Sequence, residues 1–150
     1  MNSPAKRLDT NLECGQIAPQ VVLLVARGRV TRHSMEAQLP VFQNILSRMR
    51  RPGWIIDTSD LCDFEPSAVG IGTEWFKAFK AAGGEKVIFV SGLATARMAA
   101  TTISFAARMP LETSLTLAQA CERLGVTHPP SRAIANPESA VSGTRPKIAR

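Results

Sequence analysis

The chain has 150 residues, 45% of them apolar, which suits one domain with a hydrophobic core. Its formal net charge is +6 and Tyr is absent. About half of the positive excess comes from residues near the two ends, so neither a basic groove nor a base-stacking surface is predicted, and nucleic acid is excluded as a partner. Cys14, Cys62 and Cys121 are odd in number and far apart, which argues against a disulfide framework and a zinc site.

Both ends of the chain differ in composition from its middle. Residues 1–18 are polar, and we predict a flexible N-terminal segment there. They contain no apolar signal core, and no apolar run reaches membrane-spanning length, so we expect a cytoplasmic protein without membrane insertion. Residues 127–150 are basic and rich in Pro and Ser, and we predict a disordered tail. The predicted domain is therefore 19–126.

The first elements of this domain are a strand and a helix. The Val/Leu block of residues 20–30 predicts a buried strand that runs out toward solvent. Ser34 is the predicted cap of the helix that follows, and Pro40 is expected near its first turn, since a proline further inside kinks a helix. The apolar stripe of this helix consists of Leu39, Phe42, Ile45, Leu46 and Met49.

The middle of the chain predicts a central strand, a loop and a second helix. Residues 54–56 are an apolar run read as a strand ending at Asp57, and residues 58–66 read as a loop. Ser67 then opens a helix that ends at Gly83 and Gly84. The apolar face of this helix, predicted to be core, consists of Ala68, Ile71, Trp75, Phe76 and Phe79.

The last elements are shorter. Residues 86–90 predict a strand, and residues 94–103 predict a helix with Met98 and Ile103 turned inward. A short edge strand is predicted at 107–111, where Pro110 is tolerated because an edge strand has an unpaired side. Ser114 is the predicted cap of a final helix that Gly125 ends.

Alternating strands and helices of this kind imply an α/β fold. We predict a small mixed or mostly parallel β-sheet of about four strands, with about four helices packed mainly on one face. In parallel α/β domains the functional site lies at the carboxyl ends of the strands. Those ends are here the acidic segment after Asp57 and the Ser91-Gly92 pair.

Three kinds of enzyme site could lie at these ends. Gly70 and Gly72 resemble part of a dinucleotide fingerprint but lie inside the second helix, so no cofactor is expected. The carboxylates of Asp57, Asp60, Asp63 and Glu65 suit magnesium, and an enzyme with magnesium at Asp57 and Asp60 is one alternative. The other interpretation is that acidic residues gather before a helix N-terminus because the helix dipole favours them.

The third kind of enzyme site is one for nucleophilic catalysis. Ser67, Cys62 and Cys121 are the candidate nucleophiles, and each needs a base. The chain has two histidines, His33 before the first helix and His128 in the predicted tail, and no nucleophile-elbow motif. We therefore assign no catalytic and no metal-binding residue and expect no enzyme activity.

The order of motifs from residue 20 to 125 resembles a STAS domain, the fold of the bacterial anti-sigma-factor antagonists. The matching segments are GRVT at the end of the first strand, IIDTSDL, KVIFVSG and the final LETSLTLAQACERLG. The family carries Asp-Ser-Ser-Gly-Leu at the start of its second helix, with the second serine as phosphate acceptor. Ser67 matches that serine and Glu65 replaces the aspartate, while Pro66, Ala68 and Val69 depart from the motif.

The resemblance implies a cytoplasmic regulatory module that binds a protein, either a serine-kinase-like anti-sigma protein or another STAS protein. Ser67 is the implied regulatory phosphoacceptor. The expected partner-binding surface consists of Asp60, Asp63, Phe64, Glu65, Pro66, Ser67, Ala68 and Ser91. One alternative is a scaffold subunit without a phosphoswitch. Another is a small-ligand or lipid-binding domain using the apolar side of the second and third helices, namely Phe76, Phe79, Met98 and Ile103.

Overall fold

The computed structural model describes residues 11–90 and 92–126. This part of the chain forms five strands and four helices. The strands are β1 (Leu12–Ala18), β2 (Val21–Val30), β3 (Gly53–Phe64), β4 (Lys86–Val90) and β5 (Leu111–Ser114). The helices are α1 (Arg32–Leu46), α2 (Ala68–Ala81), α3 (Ala94–Ala107) and α4 (Leu117–Arg123). None of these helices is long and apolar enough to cross a membrane.

The strands form one sheet in the order β1-β2-β3-β4-β5. β1 is antiparallel to β2, and the other three neighbouring pairs are parallel. The predicted α/β fold with a mostly parallel sheet is therefore confirmed, with five strands instead of about four. Because the central strands are buried on both faces, they read as continuous apolar runs.

Side-chain alternation divides the core between the two faces of the sheet. Val22 and Leu24 of β2 pack with α1, α2 and α3, whereas Val21 and Leu23 pack with Cys121 of α4. Three of the four helices thus cover one face, as predicted. The larger core is centred on an aromatic cluster in which the Trp54 ring lies 4.6 Å from Phe42, 5.0 Å from Phe76, 5.3 Å from Phe79 and 6.1 Å from Trp75. The predicted core role of Trp75, Phe76 and Phe79 is confirmed, since all three are buried.

The prediction of a flexible segment up to residue 18 is wrong for its last part, because Leu12–Ala18 form β1. Leu12 pairs with Ala26 and is almost wholly buried, while the rest of the strand is half-buried or exposed. An edge strand of this kind buries few side chains, so its polar composition hides it. Residues 1–10 and the predicted tail of residues 127–150 lie outside the described residues.

Two strand boundaries also differ from the prediction. β3 does not end at Asp57 but runs on to Phe64 through the segment predicted to be a loop. β5 lies at Leu111–Ser114 and not at residues 107–111, because α3 continues to Ala107. Pro110 accordingly precedes the strand. Met98 is exposed, contrary to the prediction, since α3 buries a stripe made mostly of small residues: Ala96, Ala100, Ile103, Ser104 and Ala107.

Three predictions about helix starts are wrong in detail. α1 is capped by Thr31, and Ser34 is the third residue of the helix. α4 is capped by Thr116, while the Ser114 hydroxyl donates to the Thr116 carbonyl at 2.8 Å. Pro40 lies inside α1 instead of in its first turn. It is exposed there, so solvent can reach the Glu36 carbonyl that loses its helical partner.

Candidate protein-binding site at the start of helix α2

β2 and β3 extend beyond the sheet as a two-stranded ribbon. The pairing of β3 with β4 ends at Asp57 opposite Val90, whereas its pairing with β2 continues to Phe64 opposite Val30. We call Arg27–Val30 and Asp60–Phe64 the C-terminal ribbon. Its register shifts twice, and Gly28 there has a φ of 60°, a conformation that favours glycine. The ribbon delivers the chain to the start of α1 on one side and of α2 on the other.

Side-chain hydrogen bonds at residues 57–59 of β3 fix the base of the ribbon. The Ser59 amide and hydroxyl donate to Asp57 Oδ1 at 3.0 and 2.5 Å, and the buried Thr58 hydroxyl donates to the Val90 carbonyl at 2.8 Å. A Cβ atom on Gly92 would lie 2.8 Å from the Ser59 carbonyl oxygen, so only glycine permits the chain after β4 to come this close. The Asp57 carboxylate is therefore engaged by the amide and hydroxyl of Ser59.

Two carboxylates of the predicted acidic loop bind an arginine. Arg29 Nε donates to Asp63 at 3.0 Å, and Arg29 Nη1 lies 3.6 Å from Glu65. The hydrogen bond from Arg29 holds the pKa of Asp63 below its ordinary value. Glu65 Oε1 also accepts from the Arg32 amide at 2.8 Å, at the N-terminus of α1, where the helix dipole favours a negative charge. Within residues 11–90 and 92–126 no group of three His, Cys, Asp or Glu is arranged to hold a metal ion.

The first turn of α1 is closed by side chains. Thr31 has an extended backbone, and its Oγ1 accepts from the Ser34 amide at 3.0 Å. The Ser34 hydroxyl accepts in return from the Thr31 amide at 3.1 Å, which completes a capping box. The Arg32 amide donates to the Glu65 carboxylate, so the amides of Thr31, Arg32 and Ser34 at this helix start are all hydrogen-bonded to side chains.

The start of α2 is built differently, although Ser67 is also at its N-cap position. Ser67 has helical φ and ψ of −66° and −16° and makes no side-chain capping hydrogen bond. Pro66 explains this geometry, because its ring fixes φ near the helical value and begins the turn one residue earlier. The Ala68 amide donates to the Glu65 carbonyl at 2.9 Å and the Val69 amide to the Pro66 carbonyl at 3.1 Å. Ser67 is therefore an exposed hydroxyl on a backbone-bonded turn.

The predicted binding residues are brought together only in part. Asp60, Asp63, Pro66 and Ser67 are exposed, and Phe64 and Glu65 are half-buried. Ala68 is buried, so its methyl group packs in the core. Ser91 lies outside the described residues.

The candidate nucleophiles lie in separate places. Cys62 is exposed on the ribbon, whereas Cys121 is buried on the opposite face of the sheet. Burial raises the pKa of the Cys121 thiol and, more strongly, that of Cys14, to about 12. Both thiols therefore stay protonated at neutral pH. His33 lies in the first turn of α1, and His128 is outside the described residues.

Two residues of the site escaped the sequence analysis, namely Arg29 and Thr31. Arg29 and Thr31 belong to the GRVT segment, which was read only as a strand leaving the core. A capping box usually has Glu or Gln at the third helical position, and Ser34 takes that place here, so the sequence pattern alone does not reveal the cap. Arg29 meets Asp63 because β2 and β3 pair in parallel up to Phe64. The sequence predicts a loop at residues 58–66, and a loop there gives no such pairing.

Comparison with known proteins shows the fold. The chain is similar to the anti-sigma factor antagonist SpoIIAA in its unphosphorylated form, with a TM-score of 0.60 and 16% identity over 76% of this chain and 97% of that one. A protein of the DUF3478 family from Shewanella loihica, described as having a SpoIIAA-like fold, gives a TM-score of 0.58 and 12% identity over 75% of this chain and 91% of that one. A protein from Thermotoga maritima described as a putative anti-sigma factor antagonist gives a TM-score of 0.51 and 14% identity over 76% of this chain and 94% of that one.

The structure therefore has a STAS-like fold, the fold of SpoIIAA. No protein-family model matches the sequence. No curated protein matches it either. At these levels of identity the likeness establishes the fold, and the function has to be argued from the site.

Proposed function

We propose that this protein is a non-enzymatic regulatory module that binds a protein partner through the exposed part of the junction between β3 and α2, and that phosphorylation of Ser67 switches the binding. The observation that carries the proposal is the Ser67 hydroxyl, which is exposed, stands on a turn held by backbone hydrogen bonds and takes no part in capping the helix. The proposed binding surface consists of Asp60, Asp63, Phe64, Glu65, Pro66 and Ser67, and Ser91, which follows β4 in the sequence, is proposed to join it.

The fold comparison supports the same class of function. SpoIIAA is an anti-sigma factor antagonist, and its structure is known in the unphosphorylated form and, from Bacillus, in the phosphorylated form. By analogy, the partner of this chain is a serine-kinase-like anti-sigma protein or another STAS protein. We place the interaction in the cytoplasm, where Cys14, Cys62 and Cys121, all free, stay reduced.

Electrostatics predicts that phosphorylation of Ser67 weakens partner binding. A phosphate adds a charge of about −1.5 to −2 at a helix N-terminus, where the dipole tolerates it, so the fold survives. Asp63 and Glu65 share Arg29, and the surroundings of the ribbon therefore stay acidic even with the arginine in place. A partner that offers carboxylates to this surface is repelled after phosphorylation, because like charges across an interface are unfavourable.

Binding of a serine-kinase-like anti-sigma protein from the same organism tests the proposal by calorimetry. We expect the parent and Ser67→Ala to bind alike and Ser67→Asp to bind at least about tenfold more weakly, which is about 1.4 kcal/mol. The control is Thr101→Asp, which adds the same charge at an exposed position two turns into α3. Equal affinities for the Ser67→Asp and Thr101→Asp variants reject the switch. If Ser67→Asp leaves binding unchanged and Phe64→Ala abolishes it, the scaffold function without a phosphoswitch replaces it.

A further inference from the structure

Basic side chains collect where three helices end. Helices α1, α2 and α3 each return from the carboxyl end of a parallel strand, so they all finish at the amino end of the sheet. Gly83, just after α2, lies so close to the Arg50 carbonyl oxygen that a Cβ atom would be 2.8 Å from it, and Lys80 Nζ donates to the Ala107 carbonyl of α3 at 3.4 Å. These contacts join the helix ends into one surface. We call it the basic end, and it consists of five exposed residues: Arg48, Arg50, Arg51, Lys80 and Arg108.

The arginines of the basic end have no carboxylate partner within residues 11–90 and 92–126. The backbone amides of Arg50 and Arg51 donate to Gln20 Oε1, which positions their loop and leaves both side chains in solvent. Of the carboxylates at this end, Glu112 is already shared by Lys86 and Arg123. The other two belong to Glu85 and Glu122, so the five positive charges of the basic end stay in excess.

Helix dipoles do not account for these residues. A basic side chain is favoured in the last turn of a helix, and the effect fades beyond that turn. Lys80 lies in the last turn of α2, whereas α1 and α3 have no basic residue in theirs. Arg108 has a φ of 56°, and it is the one non-glycine residue with a positive φ in the described part of the chain. Glycine is the ordinary residue in this conformation, so an arginine there points to a use of its side chain.

The opposite end of the domain carries the complementary charge. Asp60 is exposed and pairs with no basic side chain of the described residues, while Asp63 and Glu65 share the single guanidinium of Arg29. We call these three carboxylates the acidic junction. β3 runs from one end to the other over 12 residues, so roughly 35 Å separate the two surfaces. The Debye length is about 8 Å at physiological salt, so the two surfaces of one molecule do not neutralise each other.

We infer that the basic end binds the acidic junction of a second copy of this chain, head to tail. Charge complementarity carries the assignment, and the planar guanidinium of arginine suits it because it can donate two parallel hydrogen bonds to a carboxylate. Since the two surfaces differ, each contact leaves one basic end and one acidic junction open, and the assembly can extend. The association uses the junction proposed for partner binding, but it needs neither that partner nor a phosphate on Ser67.

Sedimentation of the purified full chain tests the association with no partner present. Copies that carry a net charge of +6 repel each other, and this repulsion grows as salt is lowered. Attraction between the oppositely charged ends grows as well, so we expect the average mass at low salt to rise with concentration above the monomer value of 16.2 kDa and to return to it at high salt. A mass of 16.2 kDa at every salt and protein concentration overturns the inference.

Two variants that each keep one surface test the geometry. Arg50→Gln/Arg51→Gln alters the basic end and Asp60→Lys alters the acidic junction, and each should weaken self-association about tenfold. Mixed in equal amounts they should form a dimer that does not extend, because one supplies an intact junction and the other an intact basic end. A mixture that associates no better than either variant alone contradicts the head-to-tail contact.

The matched control is Lys77→Gln/Arg97→Gln, which removes two exposed positive charges outside the basic end. It should associate at least as tightly as the parent, and a loss equal to that of Arg50→Gln/Arg51→Gln overturns the assignment. Ser67→Asp should not weaken self-association, although it should weaken partner binding, so failure of this inference and failure of the proposed function are distinguishable. A parent that stays monomeric and sediments with phosphatidylserine vesicles assigns the basic end to a lipid surface instead and overturns the inference.

Discussion

Helices α1 and α2 both begin at the C-terminal ribbon, and their first turns are finished in different ways. At α1, Thr31 and Ser34 cap each other's amides and Glu65 adds a carboxylate to the Arg32 amide. At α2, Ser67 occupies the corresponding position and its hydroxyl caps nothing. Hydroxyl residues are common at helix starts for stability. Ser67 does not serve this purpose here, which leaves its hydroxyl available for chemistry with a partner.

The largest expected effect is a difference in stability between two matched variants. Thr31→Ala removes the acceptor of the Ser34 amide, and we expect it to lower the free energy of unfolding by about 1 kcal/mol. Ser67→Ala removes no capping bond, so its effect should stay within about 0.5 kcal/mol. Urea unfolding followed by circular dichroism measures both. Equal losses for the two variants would show that Ser67 stabilises α2 after all.

A smaller effect is expected for Glu65→Gln. The change removes the charge that faces the N-terminus of α1 and Arg29, and we expect a loss of about 0.5 kcal/mol that fades in high salt. Glu74→Gln is the matched control, because Glu74 makes only an exposed pair with Lys77 within α2. If both variants lose the same free energy at low salt, Glu65 does not support α1.

The smallest effect concerns the pH dependence of the ribbon. Because the hydrogen bond from Arg29 lowers the pKa of Asp63 in the folded state, the stabilisation is present above the unfolded value of about 3.9 and is lost as the pH falls through the folded value. Titration of the Asp63 carboxyl by NMR should give a pKa below the ordinary one in the parent. In Arg29→Gln the pKa should return toward it. The same pKa in both proteins would remove this ion pair from the description of the site.

The sequence predicted the sheet and its helices well where side chains repeat with a clear period. The strands around Trp54 and Phe89 are apolar runs bounded by turn residues, and the stripe of Phe42, Ile45 and Leu46 is a helical one. The sequence did not predict secondary structure correctly where it depends on pairing with a strand distant in the chain. The segment from Thr58 to Phe64 has the composition of a loop, and it becomes a strand because β2 offers it a parallel neighbour.

The start of α2 was predicted in position but not in construction. Ser67 was placed correctly at a helix start, because the turn residues before it are visible in the sequence. Its lack of a capping bond follows from Pro66, which begins the turn one residue early, and the ordinary preference for serine caps points the other way. Arg29 of β2 binds both Asp63 and Glu65, and these contacts exist only because β2 pairs with β3 in this register.

Phosphosite mapping by mass spectrometry, after incubation with serine-kinase-like anti-sigma proteins from the same organism, tests the central claim most directly. Thr31, Ser34 and Ser67 are hydroxyl residues at neighbouring helix starts, and the first two are held in the capping box. We predict phosphate on Ser67 and none on Thr31 or Ser34. Modification of other residues with Ser67 left unmodified would contradict the account.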